Sequence, residues 1–117
     1  GKELHFNNQK QIDIATSISG SGPAYIFYIV EALINSGVYL GLTKEVSKKL
    51  VLQTIEGSMS LIKKDNIPLP ILTDMVTSPG GTTAEALMVF EHEGLKSIIA
   101  KAVIAAYEKS KELSRSS

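Results

Sequence analysis

Three features of the sequence predict an all-α fold, a bundle of about six helices. Apolar residues recur at three- and four-residue intervals, glycines and prolines fall between those runs, and nowhere do apolar and polar residues alternate as in a half-buried strand. The first helix spans about Asn8 to Ser19, with Ile12, Ala15 and Ile18 along one side. Gly20-Ser21-Gly22 breaks it, and Pro23 suits the first turn of the next helix, where a missing N–H costs nothing. That second helix ends at Gly41, and Thr43 is placed to cap the third. The third runs to about Asp65, with Val51, Ile55, Met59 and Ile62 at helical spacing. In it, Gly57, Ser58 and Ser60 leave room for a second backbone. Pro68 and Pro70 open a short fourth helix reaching about Thr77. After Ser78-Pro79-Gly80-Gly81, a fifth helix extends from about Thr83 to Glu93 and stops at Gly94. The sixth carries Leu95, Ile98, Ile99, Ala102, Ala106 and Leu113 on one face, with Lys101, Glu108 and Lys111 toward solvent. Ser114 to Ser117 reads as a frayed end.

A chain of 117 residues suits one domain with room for one core. Apolar residues are 44% and charged residues 21%, which argues against disorder. Twelve basic residues balance twelve acidic ones, so no net positive field exists to hold nucleic acid or an anionic membrane. Cysteine is absent, which excludes disulfides, thiolate metal sites and thiol nucleophiles. That fits a reducing cytosol, and a cytoplasmic location is the expectation. No basic-then-apolar export signal opens the chain.

The second helix is the most apolar. From Pro23 to Thr43 the only charge is Glu31, and the run Ala24-Tyr25-Ile26-Phe27-Tyr28-Ile29-Val30 lies at its heart. A membrane span needs about 20 apolar residues, whereas Glu31, Asn35, Ser36, Gly37 and Gly41 interrupt this one. Inserting Glu31 would be costly, and no basic asymmetry sets an orientation. A helix apolar on nearly every side is otherwise buried all round. In a chain this small, that points to burial against a partner subunit.

The stretch richest in chemistry is Ser78-Pro79-Gly80-Gly81-Thr82-Thr83-Ala84-Glu85. Two glycines let the backbone turn freely and a ligand approach it closely. Thr82 with Glu85 three residues on forms a capping box at the start of the fifth helix. Helix starts present unpaired N–H groups and a partial positive charge, so they seat small anions. Here the N–H groups of Gly81, Thr82 and Thr83 are candidates for a carboxylate. The plainer reading is a capped helix after a Gly-Gly turn that binds nothing, and the residues alone leave both open. Elsewhere, His5 and His92 lack a second ligand at metal spacing, so no metal is expected. Ser17, Ser19 and Ser21 have no histidine at a recognisable local spacing. Tyr25, Tyr28 and Tyr39 read as packing, and Lys44-Glu45 with Lys48-Lys49 as the solvated face of the third helix. Gly20-x-Gly22 is followed by Tyr25 where a dinucleotide loop needs its third glycine, so it reads as a helix-entry turn.

Two motifs carry a resemblance. The run from Leu72, Leu-Thr-Asp-Met-Val-Thr-Ser-Pro-Gly-Gly-Thr-Thr-Ala-Glu-Ala-Leu, closing with Met88-Val89-Phe90-Glu91, resembles the signature of pyrroline-5-carboxylate reductases. Upstream, Ile18-Ser19-Gly20-Ser21-Gly22-Pro23-Ala24-Tyr25 is similar to the opening of that family's long dimerisation helix. Their order and spacing match the family, and the likeness extends from about Gln11 to Leu113.

The resemblance implies a C-terminal dimerisation and substrate-binding domain that interlocks with a second copy, cut away from an N-terminal Rossmann domain. It implies a homodimer, or an oligomer of dimers, that reduces 1-pyrroline-5-carboxylate to proline with NADP or NAD as cofactor, held mainly by the Rossmann half. By the same likeness, the main chain around Gly81 and Thr82 holds the substrate carboxylate, and the Thr83 hydroxyl reaches the ring nitrogen. Met75 and Pro23 border the nicotinamide, while Asp74 is structural. The isolated piece is expected to be inactive. Some relatives have acidic side chains where this chain has Gln9 and Asn66, which bears on how a cationic imine is recognised. Two alternatives stand beside this reading: a non-catalytic helical dimerisation module, and a domain of a related imine or 3-hydroxyacid reductase. A pure scaffold has no need of open N–H groups beside a threonine pair.

Overall fold

The structure, a computed structural model, describes residues 8–116. Among them there are six α-helices, one π-helical segment and no strand. Helix α1 is Gln9–Ala15, followed by the π segment Thr16–Gly20; then come α2 (Gly22–Tyr39), α3 (Lys44–Lys64), α4 (Leu69–Met75), α5 (Thr82–Glu93) and α6 (Leu95–Ser116). The chain divides into two compact units. One comprises the described residues up to Ile26 together with those from Glu93 onward, and the other is Phe27–His92.

The punctuation acts where the local chemistry asks for it. Asn8 caps α1 by accepting the Gln11 N–H at 2.9 Å, and Thr43 caps α3 by accepting the Val46 N–H at 3.2 Å. Gly41 (φ 120°) ends the α2 stretch, and Gly94 (φ 70°) separates α5 from α6. Pro68 and Pro70 sit at the N-cap and second position of α4, where no intrahelical N–H is missed.

Two features go beyond the sequence reading. The first helix does not simply stop before Gly20 but widens into a π turn, with the Ser21 N–H on the Thr16 carbonyl five residues back (2.9 Å). Its hydroxyls help to open it. Thr16, Ser17 and Ser19 donate to the carbonyls of Ile12, Ile14 and Ala15, at 2.9, 2.6 and 2.9 Å. The stripe expected on α6 also divides. Val103, Ala106, Tyr107 and Ser110 are half-buried, whereas Ile98, Ile99 and Leu113 remain exposed.

In the first unit, α1, the π segment and α6 pack on one another. Asp13, 3% exposed, ties them: its Oδ1 accepts from Ser110 Oγ at 2.7 Å and from Gln9 Nε2 at 3.2 Å. In the second unit, Gly37 lets α3 approach α2. A Cβ there would collide with the Ser47 hydroxyl, which is 1% exposed and donates to the Ile34 carbonyl at 2.8 Å. Among the described residues Ile34 is the one buried large apolar side chain. On α2, Phe27 is 70% and Tyr28 76% exposed. The single core that the chain length allowed is therefore not assembled from one copy.

Candidate functional site

The Ser78–Thr83 turn belongs wholly to the second unit. Its glycines do different work. Gly80 has φ 71°, a backbone that L side chains rarely adopt. Gly81 has no such φ, and its constraint is steric. A Cβ at Gly81 would lie 2.5 Å from Ser78 Oγ and 3.2 Å from the Ser78 carbonyl oxygen. The Gly81 N–H donates to that same carbonyl at 3.0 Å.

This corrects the donor set read from the sequence. Gly81 spends its N–H in the turn and cannot offer it to a ligand. Its carbonyl accepts the Glu85 N–H at 3.2 Å, so Gly81 takes the N-cap place and α5 begins at Thr82, one residue early. Thr82 and Glu85 then sit too deep in the helix for a capping box, and no side-chain bond joins them among the described residues. A glycine cap has no side chain to turn onto the first N–H groups. Those of Thr82, Thr83 and Ala84 meet no acceptor among the described residues. Three adjacent donors at the positive end of a twelve-residue helix favour one negatively charged group. Beside them the hydroxyl of half-buried Thr83 has no hydrogen-bond partner among the described residues.

Met75 is the last residue of α4, in the same unit, and is 69% exposed, open to an apolar contact. Asp74 donates structure instead: its carbonyl accepts the Thr77 N–H at 3.2 Å. Pro23 lies exposed in the first turn of α2, in the other unit. Gln9 is engaged with Asp13, and Asn66 is exposed between α3 and α4. Ser17 and Ser19 are committed to backbone carbonyls.

Tyr25 departs from its reading as packing alone, because its phenol donates to the Ser17 carbonyl at 2.7 Å. No periodicity signals that bond; only the π turn brings Ser17 within reach. A shallow apolar hollow lined by Asn35, Ser36, Tyr39 and Leu40 contains none of the five site candidates. His5 lies outside the described residues. Among the described residues no three His, Asp or Glu side chains gather as metal ligands, and no helix is long and apolar enough to cross a membrane.

Comparison with known proteins agrees with this arrangement. The family model for pyrroline-5-carboxylate reductase dimerisation matches residues 9–113. The pyrroline-5-carboxylate reductase of Synechocystis sp. is 45% identical over 104 residues, covering 89% of this chain and 39% of that protein. That of Arabidopsis thaliana is 41% identical over 109 residues, covering 93% and 40%. The crystal structure of Plasmodium falciparum pyrroline carboxylate reductase with NADP bound superposes with a TM-score of 0.88 at 49% identity, over 92% of this chain and 41% of that one. A Streptococcus pyogenes 1-pyrroline-5-carboxylate reductase structure gives a TM-score of 0.88 at 34% identity, over 92% and 42%. The chain thus spans about two fifths of the length of the relatives it matches. With the match running from α1 almost to the end of α6, this chain belongs to the pyrroline-5-carboxylate reductase dimerisation family.

Proposed function

We propose that this chain is the dimerisation and substrate-binding part of a cytoplasmic pyrroline-5-carboxylate reductase. The whole protein works as a homodimer, or an assembly of such dimers, and forms proline. NADP or NAD is held mainly by a dinucleotide-binding domain outside this chain. The carrying observation is the row of Thr82, Thr83 and Ala84 N–H groups without acceptors, beside the unpartnered Thr83 hydroxyl. This donor set suits a carboxylate attached to a ring with a nitrogen nearby. The N–H groups hold the carboxylate of pyrroline-5-carboxylate, and the Thr83 hydroxyl is the hydrogen-bond partner of the ring nitrogen. Met75 and Pro23 supply apolar contact to the nicotinamide, whose bound reduced form delivers hydride to the C=N carbon. The bond fixed at the nitrogen orients that carbon, and the donors at the carboxylate set the ring's register.

The test is steady-state kinetics on the full-length protein carrying this chain. Thr83→Ala removes one hydrogen bond to a charge-developing group, worth about 1.5–3 kcal/mol, and should lower kcat/KM roughly ten- to a hundredfold. Unchanged kinetics would remove Thr83 from the site. A crystal structure with proline checks the carboxylate directly. If the carboxylate lies beyond hydrogen-bonding range of the Thr82, Thr83 and Ala84 N–H groups, the anion seat is wrong.

A further inference from the structure

The corner Ser21–Gly22–Pro23 is pinned from three directions within the first unit. The Ser21 N–H donates back to the Thr16 carbonyl at 2.9 Å, and the Ala24 N–H closes onto the Ser21 carbonyl at 3.1 Å. Those two bonds belong to the backbone and would form in any sequence that turned this way. The third comes from a side chain: the Tyr25 phenol, two residues past Pro23, reaches back to the Ser17 carbonyl at 2.7 Å. Its acceptor is itself fixed, since Ser17 is buried and its Oγ donates to the Ile14 carbonyl at 2.6 Å. One turn earlier Asp13 fastens α1 to Ser110 of α6. Tyr25 therefore ties the first turn of α2 to a segment that α6 already holds. π segments are frequent at functional sites, and this one ends beside an exposed proline.

We propose that Tyr25 is a positioning residue for the cofactor, holding Pro23 where the nicotinamide half lies; this rests on the functional reading above. Tyr25 touches neither substrate nor cofactor. Its hydroxyl fixes the angle at which α2 leaves the π turn, and so where the Pro23 ring stands. Phenylalanine keeps the ring packing and removes only that link.

The test uses the full-length reductase carrying this chain. Calorimetry measures binding of the reduced dinucleotide and, separately, of the matching ADP-ribose compound, which lacks the nicotinamide. Tyr25→Phe should weaken the reduced dinucleotide about three- to tenfold, as expected for one neutral hydrogen bond. The ADP-ribose compound, the KM for pyrroline-5-carboxylate and the oligomeric state should not change. Equal weakening of both ligands, or of neither, overturns the proposal. If the variant does not fold, hydrogen exchange on the unmodified enzyme decides. The Ser21 and Ala24 amides should slow further with the reduced dinucleotide than with the ADP-ribose compound, and identical slowing overturns the proposal. An unmodified enzyme that does not reduce pyrroline-5-carboxylate removes the functional reading and this proposal together. An active enzyme with an unaffected Tyr25→Phe variant removes this proposal alone.

Discussion

Gly37→Ala sets two physical effects against each other at one atom. Alanine inside a helix is ordinarily better than glycine by about 1 kcal/mol, because glycine gives up more backbone freedom on folding. Here the added methyl would meet Ser47 Oγ, with Ser47 Cβ at 3.0 Å and Leu42 Cδ1 at 3.4 Å. The hydroxyl cannot yield cheaply, being buried and bonded to the Ile34 carbonyl at 2.8 Å. Displacing it strands a buried polar group, at about 1–3 kcal/mol, and the overpacking adds a similar amount. After the propensity gain, the net loss is about 3 kcal/mol. Urea unfolding at fixed protein concentration measures it, since a shifted midpoint at constant slope reports stability. Adding Ser47→Gly clears the space and should recover most of the loss, to within about 1 kcal/mol of the parent. A Gly37→Ala variant more stable than the parent would refute the close-approach argument, as would a double variant whose losses simply add.

The remaining predictions concern the first unit and the assembly. Asp13→Ala leaves Ser110 and Gln9 without their shared acceptor and should destabilise by about 1–3 kcal/mol. Ser110→Ala should cost less, and the pair should be sub-additive by chemical denaturation. The exposed apolar surface of α2 predicts a dimer by sedimentation at micromolar concentration. A folded, stable monomer at that concentration would sink the claim.

Local signals in the sequence proved legible, and couplings between distant residues did not. Thr43 as a cap and Gly41 and Gly94 as breaks follow from a few neighbouring residues, and each stands where expected. The Thr82–Glu85 pair fits the capping-box pattern equally well, yet Gly81 took the cap. A pattern three residues long does not register that the preceding turn has already fixed where the helix starts. This moved the donors one residue along, from Gly81–Thr83 to Thr82–Ala84. The Asp13–Ser110 and Ile34–Ser47 bonds join residues 97 and 13 positions apart, and periodicity says which face a residue occupies but not what that face meets. The π turn was equally hidden, because Thr16, Ser17 and Ser19 read as ordinary residues of a weak helix.

That π turn carries a consequence for insertions and deletions. A π turn of this kind amounts to one residue inserted into an α-helix, and each α-helical residue advances the chain by about 100°. Deleting one residue between Thr16 and Gly20 would restore regular α geometry and improve the local hydrogen bonding. It would also swing everything downstream by roughly a quarter turn, carrying the Tyr25 phenol off the Ser17 carbonyl and Pro23 to another bearing. Substitutions within Thr16–Gly20 should therefore be tolerated more readily than any change in its length.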